Sequence, residues 1–154
     1  MRGLPGKPRY FSSYTTRRDA ALGSFEPEAL DLQKKLIKRL RKKHDDTHEG
    51  VISARVQLGH IMNIQKQPEA AEETYQRALK DLNNNEGWQQ QYLNRRKLPG
   101  LSRDELVRLV NLAGVYERAL SGLGRAYTRL GKTDKAAEAE ARAADWERVK
   151  KEAR

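Results

Sequence analysis

Eight apolar residues recur alternately three and four positions apart in the second half of the chain, and they constrain the fold more than any other feature. They are Leu106, Leu109, Ala113, Tyr116, Leu120, Leu123, Tyr127 and Leu130. This spacing places all eight on one face of an α-helix. Ser102 and Glu105 form a capping box before the stripe, and Gly131 follows it as a C-cap. The pattern predicts one helix of about 26 residues, about 39 Å long.

So long a stripe also occurs in coiled coils, where branched residues are preferred at the seam. Gly114, Gly122 and Gly124 lie within or beside the stripe and favour close packing in a helical stack instead. The chain is 37% hydrophobic and 34% charged, which suits thin layers of helices better than a thick closed core. We therefore predict an all-α fold.

The composition also limits the kinds of site and partner. The 154 residues contain no cysteine, which excludes disulfides and cysteine metal sites. No apolar run reaches the roughly 18 residues of a membrane-spanning helix, so we expect membrane association only through partners. Lys and Arg number 31 against 21 Asp and Glu, a formal net charge of +10. This excess favours RNA, an acidic lipid surface or an acidic protein as partner, or serves solubility alone.

Residues 1–25 differ from the rest and are predicted to form an extended basic arm, separate from a helical domain over 26–154. Helical periodicity is missing there, and Asp19 is the single acid beside five basic residues, Arg2, Lys7, Arg9, Arg17 and Arg18. A basic, hydroxyl-rich start is also typical of an organellar presequence. The run Arg9-Tyr10-Phe11-Ser12 resembles a mitochondrial processing site. We expect a mitochondrial protein, with a cytoplasmic location as the alternative.

The first helix is predicted to begin at Glu26-Pro27-Glu28, because proline and acids suit a first turn. Its second half is rich in cations, among them Lys34, Lys38 and Arg41. Cations near a helix C-terminus are electrostatically favourable in themselves. The same residues are alternatively candidates for contact with an anionic partner.

Two further helices, over about 49–64 and 68–82, are separated by a break at Gln67-Pro68-Glu69. The connection is so short that the helices must be antiparallel. Within this hairpin, small and large residues follow a characteristic order: Leu58, Gly59, Ala71, Tyr75 and Ala78. A second set occurs near the C-terminus: Leu123, Gly124, Tyr127, Ala136 and Ala143.

Both sets resemble the tetratricopeptide repeat, most closely the type found in kinesin light chains. The resemblance implies stacked antiparallel hairpins that bind proteins. Gly59 and Ala71 would let two helices approach, and Tyr75 would fill the gap above them. Lys66 and Asn83 depart from the family's usual glycine and proline. Glu140 stands where the second copy should have its large aromatic residue, which predicts a terminal hairpin with one face in solvent.

Gly59 and Gly124 are 65 residues apart, which is not a clean multiple of the usual period of about 34. We therefore predict a short, irregular array. Its two hairpins are separated by a segment that carries aromatic and basic residues: Trp88, Tyr92, Arg95, Arg96 and Lys97. Trp88 either plugs the end of the stack, anchors a protein partner, or stacks with RNA bases together with Tyr92.

No catalytic motif stands out, and we expect neither an enzyme nor a cofactor. The sequence has no glycine-rich phosphate loop, no nucleophile elbow and no cysteine nucleophile. His44 and His48 have the spacing of paired zinc ligands on a helix, but no third ligand is evident. We expect no metal, and Asp45, Asp46 and Thr47 are better read as caps of the next helix.

Two functions are therefore predicted from the sequence. In the first, the chain is a scaffold or structural subunit that binds other proteins of a large complex. In the second, it belongs to a ribonucleoprotein such as an organellar ribosome, and its basic residues contact RNA. A continuous basic stripe through residues 34–43 and 95–97 would favour RNA, and dispersed charge would favour proteins.

Overall fold

The computed structural model describes residues 27–153, and the predicted arm lies outside this range. The described residues form six α-helices and one short 3₁₀-helix, without a strand among them: α1 (Pro27–Arg41), α2 (Glu49–Ile64), α3 (Pro68–Asn83), α4 (Trp88–Leu93), the 3₁₀-helix (Arg95–Lys97), α5 (Arg103–Arg129) and α6 (Thr133–Glu152). The predicted all-α class is confirmed. None of these helices is both long and apolar enough to cross a bilayer.

Helices α2 and α3 form one hairpin, and α5 and α6 form a second one with the same kind of turn. In the first turn Lys66 has a φ of 58°, and the Gln67 N–H donates to the Met62 carbonyl at 2.8 Å. In the second turn Gly131 has a φ of 75°, and an N–H bonds a carbonyl five residues earlier at 2.9 Å. Lys66 thus adopts the left-handed conformation that usually selects glycine.

The helices stack in layers around the long helix α5. Helix α5 packs against α2 and α3 on one side and against α6 on the other, while α1 packs on α2. The core is continuous from Ile37 of α1 to Trp146 of α6. The architecture is a stack of antiparallel helical hairpins, as predicted.

Helix α5 has 27 residues, and the Ser102 hydroxyl accepts the Glu105 N–H at 3.1 Å. The predicted length and capping box are confirmed. The stripe is buried from Leu109 to Tyr127, whereas Leu106 before it is 38% exposed and Leu130 after it is partly exposed.

One predicted cap is wrong. Helix α2 is capped by His48, whose Nδ1 accepts the Gly50 N–H at 3.0 Å. Asp45 instead bonds the Thr47 backbone and hydroxyl at 3.0 and 2.7 Å, which closes the turn before the helix. Because Nδ1 of His48 is engaged, the histidine pair is poorly arranged as a metal site. Residues 27–153 contain no group of three or more side chains able to hold a metal.

Candidate functional site

The site is built around the ring of Tyr75, which is enclosed between two helices. Tyr75 is 1% exposed. An added Cβ at Gly59 of α2 would lie 2.9 Å from its ring, and one at Gly122 of α5 would overlap its Cζ and hydroxyl oxygen outright. Both positions therefore require glycine. Ala71 and Ala78, on either side of Tyr75 in α3, are fully buried, so small residues surround the one large ring.

Polar groups at the edge of this enclosure meet the Tyr75 hydroxyl. Burial raises the pKa of Tyr75 to about 12, against the opposing effects of Arg125 and of hydrogen bonds to Asn63 and Arg125. Asn63 also donates from Nδ2 to the Gly122 carbonyl at 3.1 Å. Burial, with help from the Arg125 charge, lowers the pKa of the nearby His60. These bonds hold α2, α3 and α5 together at one point.

The second hairpin repeats these positions but lacks the ring. Counting 12, 16 and 19 residues from the glycine gives Ala71, Tyr75 and Ala78 in the first hairpin, and Ala136, Glu140 and Ala143 in the second. Glu140 is exposed, as predicted for a terminal hairpin. An added Cβ at Gly124 would lie 3.9 Å from Ala139 Cβ, an ordinary contact. Gly124 is therefore buried, but unlike Gly59 it could be replaced by a residue with a Cβ.

Where the ring is missing there is an open cavity of about 430 Å³. We call it the open socket, and it is lined by Leu120, Ser121, Gly124, Arg125, Thr128, Arg129, Ala139, Glu140 and Ala143. It lies between α5 and α6, on the side of the stack with no further hairpin in the described residues. Its floor consists mainly of small and apolar side chains.

A second cavity of about 440 Å³ adjoins the open socket and shares Ser121 and Arg125 with it. It crosses from α5 to α2 and is lined by Val56, His60, Tyr75 and Arg118, among others. Glu117 at its edge is engaged elsewhere, because it accepts from Trp146 Nε1 at 2.9 Å and Lys150 at 2.5 Å. Arg118 and Arg125 have no carboxylate partner in the described residues. Because Ser121 and Arg125 line both, the two cavities lie side by side. We call the pair the groove; its lining combines apolar side chains with Arg118 and Arg125.

The structure places the Trp88 side chain in the core of the stack. Trp88 is 3% exposed and its ring lies 5.7 Å from that of Tyr116 and 5.6 Å from that of Trp146. It plugs the stack, the first of the alternatives raised from sequence. Tyr92 is half-buried against Trp146 at 5.8 Å, and Arg95 lies 4.2 Å above its ring. Arg95 also donates to the Tyr92 carbonyl at 2.8 Å, so these two mainly contact each other.

The remaining basic candidates fall into two separate groups. Arg96 and Lys97 are exposed on the 3₁₀-helix, beside α4, which packs on α5. Lys34 and Lys38 are exposed on α1, which packs on α2 at the other end of the stack. The structure therefore does not place residues 34–43 and 95–97 in one layer.

Arg41 is tied to an ionic cluster in the turn between α1 and α2. The carboxylate of Asp46 forms ion pairs with Arg41 at 3.0 Å, Arg55 at 2.9 Å and Arg77 at 3.1 Å. The three arginines come from three successive helices. Arg41 and its neighbours therefore link the first layers of the stack, and Arg41 is engaged within the fold.

The sequence predicted close packing at Gly114, Gly122 and Gly124 alike, whereas the structure requires glycine among these three only at Gly122. The available signal was a second buried row on α5, beside the main stripe: Val115, Ala119, Gly122 and Ala126. Its small residues mark the side that faces α2 and α3.

No protein-family model matches this sequence, and no curated protein or solved structure matches it.

Proposed function

We propose that the protein is a non-catalytic, tetratricopeptide-like scaffold and that a protein partner docks on the open socket. One comparison within the chain carries this proposal. In the first hairpin the socket is filled by Tyr75 and covered by Gly122 of the next helix. In the second hairpin Glu140 occupies the position that corresponds to Tyr75, and the cavity stays open. A partner segment that inserts a large side chain would complete the same packing.

The lining of the groove suggests what kind of segment fits. Leu120, Ala139 and Ala143 provide an apolar floor, which favours an aromatic or aliphatic anchor. Arg125, shared by both cavities, has no carboxylate partner in the described residues. An acidic residue beside the apolar anchor would therefore be stabilised by a charge-assisted hydrogen bond.

The proposed mitochondrial location and membership in a multiprotein complex rest on the sequence. A basic arm over 1–25 that resembles a presequence supports a mitochondrial location, and the scaffold type supports membership in a multiprotein complex. Import into isolated mitochondria, with and without residues 1–25, tests the location directly. Equal import of both forms would contradict a presequence in residues 1–25, and import of neither form would contradict the mitochondrial location.

Filling the socket from within tests the proposed docking. Glu140→Tyr restores the aromatic residue that the first hairpin has at this position, and Glu138→Tyr places the same ring on an exposed position of α6 outside the socket. We expect Glu140→Tyr to raise the melting temperature, because cavity filling commonly adds about 0.5–2 kcal/mol. It should also displace partner proteins recovered with the tagged full-length chain after nuclease treatment, while Glu138→Tyr retains them.

Two results would refute the proposal. Partners that remain bound to Glu140→Tyr, with the melting temperature raised, would show that docking takes place elsewhere. Equal loss of partners in both variants would show that the socket has no special part in binding.

A further inference from the structure

The solvent face of α1 carries cations in two parallel rows. Lys34, Lys38 and Lys42 form one row, and Lys35, Arg39 and Lys43 form the other, each with a spacing of four residues. The last two lysines lie just past the helix, where backbone bonds from Lys42 to Arg39 and from Lys43 to Leu40 continue its turn. At a rise of 1.5 Å per residue, successive cations in a row are about 6 Å apart.

All six side chains are exposed, and none has a carboxylate partner within residues 27–153. The contrast with Arg41 is informative, because Arg41 in the same segment is paired with Asp46 at 3.0 Å. Intramolecular pairing is therefore available near α1, yet the six cations of the two rows do not form it within residues 27–153. Their charges remain for an external polyanion.

The rest of α1 narrows the choice of polyanion. Its apolar stripe, with Ala29 and Ile37, is buried against α2, so the helix has no free apolar face to insert into a bilayer. Single strands are usually held by bases stacked on aromatic rings, and α1 contains no aromatic residue. Regular rows of cations fit a regular array of phosphates.

We propose that this face of α1 binds the phosphate backbone of double-helical nucleic acid, independently of sequence. The inference goes beyond protein docking at the open socket, which lies between α5 and α6. Its recognition chemistry is charge neutralisation, so affinity must fall with salt. Each phosphate contact contributes about 0.9 to the slope of log affinity against log salt concentration, so three to six contacts predict a slope of about 3 to 5.

Two full-length variants with the same change in charge provide the test. The face variant replaces Lys34, Lys35, Lys38, Arg39, Lys42 and Lys43 by glutamine. The control replaces six other exposed cations by glutamine, namely Lys66, Lys80, Arg103, Lys135, Arg142 and Lys151. The probes are a short RNA duplex, a DNA duplex of equal length, a single strand, and vesicles of phosphatidylserine and phosphatidylcholine in equal parts. Circular dichroism confirms that both variants fold.

We expect the wild type and the control to bind at least one duplex with the stated salt slope, and the face variant to lose that binding. Binding to the RNA duplex alone, to the DNA duplex alone or to both would show which nucleic acid supplies the phosphates. Failure of the wild type to bind either duplex would overturn the proposal, as would preference for the vesicles or the single strand. Equal loss in both variants would also overturn it, since total charge would then explain the binding. Because no protein partner is present, the outcome is independent of docking at the socket.

Discussion

Replacing Gly122 by alanine should destabilise the protein because the new Cβ would overlap the buried Tyr75 ring. The ring has no room to move aside, because its other face packs against the Gly59 backbone. The contact is so close that a Cβ built at Gly59 would lie only 2.9 Å from the ring. Overpacking of a core typically costs about 1–3 kcal/mol. Alanine in place of a helical glycine contributes about 0.5–1 kcal/mol in the opposite direction.

Gly124→Ala is the matched control, because the same gain in helix propensity applies two residues along the same helix. Its Cβ would meet only Ala139 at an ordinary 3.9 Å, so this variant should be stabilised by about 0.5–1 kcal/mol. The gain in helix propensity is the same in both variants and cancels. The remaining difference in unfolding free energy, about 1–3 kcal/mol, comes from overpacking alone.

Thermal unfolding followed by circular dichroism measures this difference. For a chain of this size each kcal/mol shifts the midpoint by about 2–4 °C, so the two midpoints should differ on the order of 5 °C. Combining Gly122→Ala with Tyr75→Leu should give less than the sum of the two single effects, because both changes act on one contact. Equal midpoints for Gly122→Ala and Gly124→Ala would refute the enclosure of Tyr75 described above.

Three further outcomes are expected. Because burial raises the pKa of Tyr75 to about 12 from its usual 10.0, its stabilising effect is complete below pH 10 and is lost as the pH rises through about 12; melting curves of Tyr75→Phe should lack that part of the alkaline decline. Asp46→Asn leaves Arg55, whose side chain is 11% exposed, without its carboxylate, and urea denaturation should show a loss of about 1–3 kcal/mol. Trp88→Ala empties a core position and should cost about 3–5 kcal/mol in the same assay. An unchanged stability would contradict the role of Trp88 as a core residue.

The helices were predictable from sequence because their signals are local. The alternating stripe of α5 and the proline at the start of α3 each specify a helix without reference to the rest of the chain. The glutamate in place of a ring at position 140 also predicted a solvent-facing side of this hairpin, and Glu140 is exposed. Lys66 shows the limit of residue preference, because the turn imposes the left-handed conformation although glycine is absent.

The contacts between layers were less predictable, because sequence spacing does not reveal which helix a residue meets. Gly122 and Gly124 are two residues apart and both buried, yet only Gly122 faces Tyr75 across the stack. Trp88 is equally ambiguous in sequence, since an aromatic beside basic residues suits a core plug and a surface anchor alike. Only the position of Trp146, 58 residues later in the chain, decides between them.

Photocrosslinking from residue 140 tests the central proposal most directly. An amino acid with a short aliphatic diazirine side chain, which lacks the ring that Glu140→Tyr would insert into the socket, replaces Glu140 in one full-length protein and the exposed Glu138 of the same helix in another, and each is irradiated in its native assembly. The account predicts a discrete protein adduct from position 140 and none from position 138. Adducts of equal yield from both positions, or none from position 140 while partners are still recovered, would contradict docking at the open socket.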